Sequence, residues 1–159
     1  MSRYSFDEKG NLIIEDAKTF WRNFTGRERK YNASGIRNFC VRLDHETADI
    51  LKQRGWNVKY IPAKDEDDDE TPYIQIAVRY GRISPRIFMI SGKSKTLLTE
   101  ESVGSLDYAE IETTDLIIRG REWDVGRVKA YLKTGYFNIV KDVFEDKYTF
   151  DDDLPFDIE

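Results

Sequence analysis

The chain predicts a mainly β domain, and three observations carry the prediction. Short runs alternating apolar and polar residues recur along residues 1–140, separated by turns bearing Gly and Pro. Aromatic residues, which favour pleated surfaces, are abundant: nine Tyr, nine Phe and three Trp. Only one segment, around residues 45–54, reads as a sure helix. The pattern alone admits a small closed or partly open barrel and, equally, a β-sandwich.

Residues 1–10 are polar and predicted loose. Leu12, Ile13 and Ile14 suggest a short strand, and residues 20–24 a second. A long basic hairpin loop follows, bounded by Gly26 and Gly35 and lacking any large aliphatic residue between them. Phe39, Val41 and Leu43 alternate as the next strand. Asp44 is placed to cap the helix, Ala48, Ile50 and Leu51 give it an apolar side, and Gly55 ends it. Trp56, Val58 and Tyr60 alternate again. Residues 71–80 give the clearest strand: Ile74, Ile76 and Val78 on one face, Tyr73, Gln75, Ala77 and Arg79 on the other. Residues 87–90 form a buried strand, and residues 97–108 are ambiguous. Residues 111–118, continuing toward Trp123, and residues 125–140 are the last two strands, turning at Trp123-Asp124-Val125-Gly126. The sum is seven or eight short strands and one helix.

Length and composition fit one domain plus a tail: 159 residues, 40% apolar and 35% charged. A single cysteine, Cys40, excludes an internal disulfide and suits a reducing compartment. No apolar run reaches the roughly 18 residues of a membrane span, and residues 1–8 show no signal core. The expectation is a cytoplasmic protein, in which the Asn23-Phe24-Thr25 sequon carries no meaning.

Charge is unevenly spread. Residues 141–159 hold eight acids against two lysines, a balance of −6 in a chain of −5, which leaves residues 1–140 at +1. Residues 64–70 take a further −5, with six acids and one lysine, so the remaining body stands at +6. An acidic tail on a locally basic body implies two charged surfaces with opposite tasks.

The basic body interleaves its cations with rings. Trp21, Arg22 and Phe24 lead into Arg27, Arg29, Lys30 and Tyr31 of the long loop. In residues 127–133 the period-two pattern sends Val128, Ala130 and Leu132 inward, leaving Arg127, Lys129, Tyr131 and Lys133 outside. Arg119, Arg121 and Trp123 share a face by the same rule, as do Tyr73 and Arg79, and Lys59 lies outward on another strand. Cations for phosphates and exposed rings for bases are the two ingredients of single-strand binding; stacking is worth roughly 1–3 kcal/mol per base and tolerates any sequence. Taken singly, each of these residues also fits an ordinary wet strand face or, for Trp21, Trp56 and Phe24, a core.

Other motifs fail on spacing. Asp65, Asp67 and Asp69 have calcium-loop spacing, but Glu70 stands where Gly is required and Ile76 where the bidentate Glu is required. Ser91-Gly92-Lys93-Ser94 lacks the first glycine of a phosphate loop, since Ile87 holds that place. Cys40 and His45 have no third partner for nucleophilic catalysis. Glu110, Glu112 and Asp115 leave a small metal-dependent nuclease as an alternative, and the net charge leaves an acidic DNA mimic that inhibits a host enzyme as another. No metal or cofactor is expected.

The chain's end, Asp151-Asp152-Asp153-Leu154-Pro155-Phe156, resembles the acidic C-terminal tip of phage and bacterial single-stranded DNA-binding proteins. In the bacterial proteins the Phe is the final residue; here Asp157, Ile158 and Glu159 follow. The resemblance implies an OB-fold-like small barrel, with extra hairpins and one short interposed helix, over residues 1–140. It implies that residues 141–159 form a disordered tail whose residues Asp151 to Phe156 dock replication or recombination proteins. It further implies no catalysis, and sequence-independent coating of single-stranded DNA in phage replication or recombination. The short tail, with no Gly-rich linker before it, is closer to the phage versions.

Overall fold

The computed structural model describes residues 1–30 and 32–140. Ten strands lie among them: β1 (Arg3–Phe6), β2 (Leu12–Glu15), β3 (Thr19–Asn23), β4 (Arg37–Arg42), β5 (Lys59–Ile61), β6 (Thr71–Val78), β7 (Arg86–Ser91), β8 (Ser94–Leu98), β9 (Ile111–Asp124) and β10 (Arg127–Ile139). Helix α1 spans His45–Gln53, and a 3-10 turn spans Val103–Asp107. All ten strands join one sheet, whose main path runs β1-β2-β9-β10-β6-β4-β3. Strand β5 pairs with β6, and the β7–β8 hairpin attaches through β7 to β10.

The long β9–β10 hairpin is the spine. Its strands are 14 and 13 residues long, far beyond the others. Near its open end β9 pairs with β2, and β10 runs parallel to β7. Further toward its tip, Ala130 and Tyr131 pair in parallel with Ile76 and Ala77 of β6. The sheet therefore wraps round one core. Phe24, Phe39 and Phe137 meet at its centre, ring against ring, with Leu12, Ile14, Ile74, Ile76 and Ile118 packed about them.

Helix α1 begins where expected, because the Asp44 carboxylate accepts the Thr47 amide at 2.7 Å. It ends at Gly55, whose φ of +89° suits glycine. A Cβ there would stand 2.4 Å from the Gly126 carbonyl oxygen, so this glycine also admits the hairpin tip against the helix end. The Val128 amide then donates to the Gly55 carbonyl at 2.9 Å. Trp56, 7% exposed, lies against Gly120 so closely that a Cβ at 120 would come within 2.5 Å of its ring. Helix end and hairpin tip are thus clamped together.

The architecture is the mainly β, OB-fold-like one expected, with one helix and a sheet that stays open rather than closing into a barrel. Three local expectations change. Residues 3–6 form β1, because Tyr4 and Phe6 pack on the core and the backbone pairs with β2. Trp56 meets β10 by a single bridge to Val128, and the strand proper begins only at Lys59. The ambiguous stretch resolves into β8 and the 3-10 turn.

Candidate nucleic-acid interface

Register decides which side chains share the outer face of β3, β4, β6, β10 and β9. In β6, Ile74, Ile76 and Val78 are buried, so Tyr73, Gln75 and Ala77 point outward. Residues opposite them across the ladders point the same way. Arg42, Cys40 and Asn38 of β4 face Tyr73, Gln75 and Ala77 respectively. Lys59 faces Tyr73 from β5, and Tyr131 faces Ala77 from β10. Arg119 and Arg121 of β9 stand opposite Tyr131 and Lys129.

One aromatic cluster and two further rings stand on this face. At one end Phe20, Trp21 and Tyr73 meet edge to face, with centroid separations of 4.8, 5.4 and 5.5 Å. Trp21 has φ +50°, a left-handed conformation unusual for an aromatic residue, at a break in the β3 register between Phe20 and Asn23. The bulge re-aims Trp21 into solvent, where it is 59% exposed. Such strain collects at functional positions.

At the other end stand Trp123 and Tyr131. Trp123 is 61% exposed, with the Arg127 guanidinium 5.6 Å from its ring centre. Arg119 and Lys129 lie 5.8 and 5.5 Å from the Tyr131 ring. Among the described residues, none of Arg119, Arg121, Arg127 and Lys129 is in an ion pair with a carboxylate. These cations remain open to an anionic ligand.

Beside Trp123 and Tyr131 opens a cleft of about 640 Å³, bordered also by Asn38, Asn57 and Gln75 and, on the loop side, by Ile36. A second hollow of about 880 Å³ lies elsewhere, and its lining mixes both signs of charge: Asp44, Asp68, Asp69 and Glu70 with Lys18, Arg42 and Lys64.

The basic loop, residues 24–36, is built as a finger. The Asp107 carboxylate accepts the Phe24 and Thr25 amides at 2.7 and 2.9 Å and the Thr25 hydroxyl at 2.6 Å, tying the finger's base to the 3-10 turn. The Gly35 amide donates to the Gly26 carbonyl at 2.8 Å. Arg27 lies 4.9 Å from the Tyr108 ring centre, and Arg29 and Lys30 are exposed near the tip.

Several expected site residues sit elsewhere. Phe24 is fully buried in the core and has no face to offer a base. Arg22 is half-buried and donates to the Leu106 and Ala109 carbonyls at 2.8 and 3.2 Å, a structural anchor. Arg79 is exposed just beyond the end of β6, and Lys133 lies at a register shift of β10, its charge helping hold the Asp7 carboxyl below its usual range after the Asn11 hydrogen bonds. Tyr31 and the tip from Asp151 to Phe156 lie outside the described residues. Phe20, Asn38, Asn57 and Gln75 belong to the face but carry no sequence signal beyond strand alternation.

Burial pushes the Cys40 thiol up to about 11, against a smaller opposing effect of Lys59, so it stays protonated at neutral pH. The Asp115 carboxylate accepts the Asp16 amide at 2.9 Å.

Known proteins resemble the chain as a whole. A family model described as "Putative phage ssDNA-binding domain" matches residues 1–158. The chain belongs to this family. The family is one of binding proteins, not enzymes. Among solved structures the chain is similar to the single-stranded DNA-binding protein from bacteriophage Enc34 in complex with ssDNA, with a TM-score of 0.53 and 9% identity, covering 87% of this chain and 92% of that one. A C-terminal truncation of the same phage protein gives a TM-score of 0.47 at 9% identity, over 85% and 88% of the two chains. No curated protein matches. At such identity the structural likeness speaks for the fold, and family membership rests on the model that spans the chain. Among the described residues no helix is long and apolar enough to cross a membrane.

Proposed function

We propose that this protein coats single-stranded DNA without regard to sequence during phage replication or recombination, working in the host cytoplasm. The observation that carries the reading is the outer face itself: the Trp21–Tyr73 ring cluster and the rings of Trp123 and Tyr131, the latter two flanked by cations that no described carboxylate neutralises. Phosphates run along Arg119, Arg121, Arg127, Lys129 and Lys59, and the finger residues Arg27, Arg29 and Lys30 close over the strand. Bases stack on Trp21, Tyr73, Trp123 and Tyr131.

Residues 1–140 form the binding body and residues 141–159 act as an acidic tail. Its charge of −6 faces a body that is basic outside residues 64–70. Without DNA the tail competes for the cationic face; bound DNA displaces it and frees Asp151, Asp152, Asp153, Leu154, Pro155 and Phe156 for replication or recombination partners.

A fluorescence titration with oligo-dT, and with duplex of equal length, tests it at two salt concentrations. Tryptophan quenching by the single strand, with weaker duplex binding and a marked salt slope, is the expected result. Equal affinity for both forms, or none for either, refutes it. Removing residues 141–159 should tighten binding, most at low salt; unchanged or weaker affinity refutes the competing tail.

A further inference from the structure

The cleft beside Trp123 and Tyr131 has, besides those rings and the cations Arg37 and Lys129, polar lining that neither stacking nor phosphate neutralisation explains. It contains no carboxylate, although the chain has 30 acids against 25 Lys and Arg. It contains four carboxamides, Asn32, Asn38, Asn57 and Gln75. Asn32 is committed: its Nδ2 donates to three finger carbonyls and its Oδ1 accepts from Asn38. Gln75 and Asn57 are exposed and make no side-chain hydrogen bond among the described residues. Gln75 rises from the middle of β6, and Asn57 follows Trp56, which is clamped on β10. Both donor–acceptor pairs therefore stand on rigid supports, beside the rings of Trp123 and Tyr131.

We propose that this cleft is a base-edge site: a nucleobase enters edge-first and exchanges hydrogen bonds with the Gln75 and Asn57 carboxamides. The inference rests on the single-strand reading above and adds a second kind of contact to it. The cleft volume of about 640 Å³ lies within the range of roughly 300–1,000 Å³ typical of small-ligand sites. A carboxamide presents an acceptor oxygen beside an N–H donor, and each DNA base carries a neighbouring donor and acceptor on its pairing edge. Turning the amide over reverses the order of the two. The same side chain therefore matches every base, and adds affinity without choosing a sequence. A carboxylate could only accept and would repel the backbone; a lysine could only donate. The absence of the first from the lining fits this use, and the cations that line the cleft, Arg37 and Lys129, suit the phosphates beside the base.

The test compares two probes of equal length and charge: oligo-dT, and an abasic oligonucleotide with the same phosphates. The variants are Gln75→Met, which keeps the side chain's shape without its polar pair, and the double variant Gln75→Met with Asn57→Ala. Expected is a loss of at least about fivefold in oligo-dT affinity for the double variant. Abasic affinity and the salt slope should not move, nor should the melting temperature, because both positions are exposed. Equal weakening on both probes would show that the carboxamides touch the backbone, and no weakening on either would show that they touch nothing; each overturns the proposal. If the wild-type protein itself fails to bind oligo-dT, the single-strand reading falls first, an outcome distinct from the other two. Oligo-dA and oligo-dC should lose affinity in the same proportion; loss confined to one base would overturn the base-tolerant mechanism.

Discussion

The Asn38 carboxamide donates to Oδ1 of Asn32 at 2.9 Å, and that one hydrogen bond joins the basic finger to the floor of the binding face. Asn32 in turn donates to the carbonyls of Arg27, Ala33 and Ile36 at 3.2, 3.1 and 2.9 Å. One side chain thus holds both arms of a loop that has no apolar core of its own. The finger is shaped before DNA arrives, which lowers the ordering cost of binding.

Asn32→Ala should therefore act through order rather than charge. Losing these bonds should cost about 1–2 kcal/mol of stability and raise amide exchange across residues 26–36. Oligo-dT affinity should fall several-fold with the salt slope unchanged, because no cation is removed. Unchanged exchange in the finger would contradict this role.

How much of the face is legible in the sequence depends on whether strands keep their period. Over residues 129–132 of β10 they do: Ala130 and Leu132 are buried, Lys129 is exposed and Tyr131 half-exposed, as alternation requires. Around Trp21 they do not. The bulge lets Trp21 and Phe20 reach the same aromatic cluster, while Phe24, two residues past Arg22, drops into the core. Nothing local announces a φ of +50° at a tryptophan. Strand β1 is hidden for a different reason, since Arg3-Tyr4-Ser5-Phe6 becomes a strand only through its pairing with β2 and its packing on the core. The parallel meeting of β10 with β6 and β7 joins segments some 40 residues or more apart in the chain, beyond any local pattern. Gln75 and Asn57 could be placed in one cleft only by that pairing.

Trp21, Phe24 and Trp123 all lie within two residues of an arginine in the sequence, yet their variants should separate sharply. Trp21→Ala and Trp123→Ala should each weaken oligo-dT binding by about 1–3 kcal/mol, roughly five- to a hundred-fold, with little change in melting temperature. Phe24→Ala should instead cost about 3–5 kcal/mol of stability, because it empties a site between Phe39 and Phe137. Trp21→Gly is the finer probe. Glycine accepts the left-handed conformation freely, so this variant should be at least as stable as Trp21→Ala while binding no better.

The cations divide in the same manner. Replacing Arg121 and Lys129 by Ala should lower the salt slope of oligo-dT binding by about 0.7 for each phosphate that is no longer neutralised. Arg22→Ala should leave the slope alone and lower stability, since it removes the hydrogen bonds to the Leu106 and Ala109 carbonyls. An altered slope with Arg22→Ala would place that residue on the DNA path after all.

Cys40 offers a reporter set into this face. It stands opposite Phe20 and Gln75 in register, yet is 5% exposed. With burial raising its thiol to about 11, the thiolate at pH 8 amounts to on the order of one part in a thousand. Iodoacetamide should scarcely modify the folded protein at that pH, and the rate should climb as pH approaches 11. The sign for stability follows from the same shift. The folded thiol titrates above the unfolded one, near 8.5, so its contribution is complete below that pH and fades as pH rises toward about 11. Cys40→Val removes the titration, and its stability should decline less steeply between pH 9 and 11 than that of the wild type. Saturating oligo-dT should slow alkylation further, because a strand spanning the Trp21–Tyr73 cluster and the rings of Trp123 and Tyr131 must pass over this position. Rapid modification at pH 8, with or without DNA, would mean that the floor between Phe20 and Gln75 is open rather than sealed.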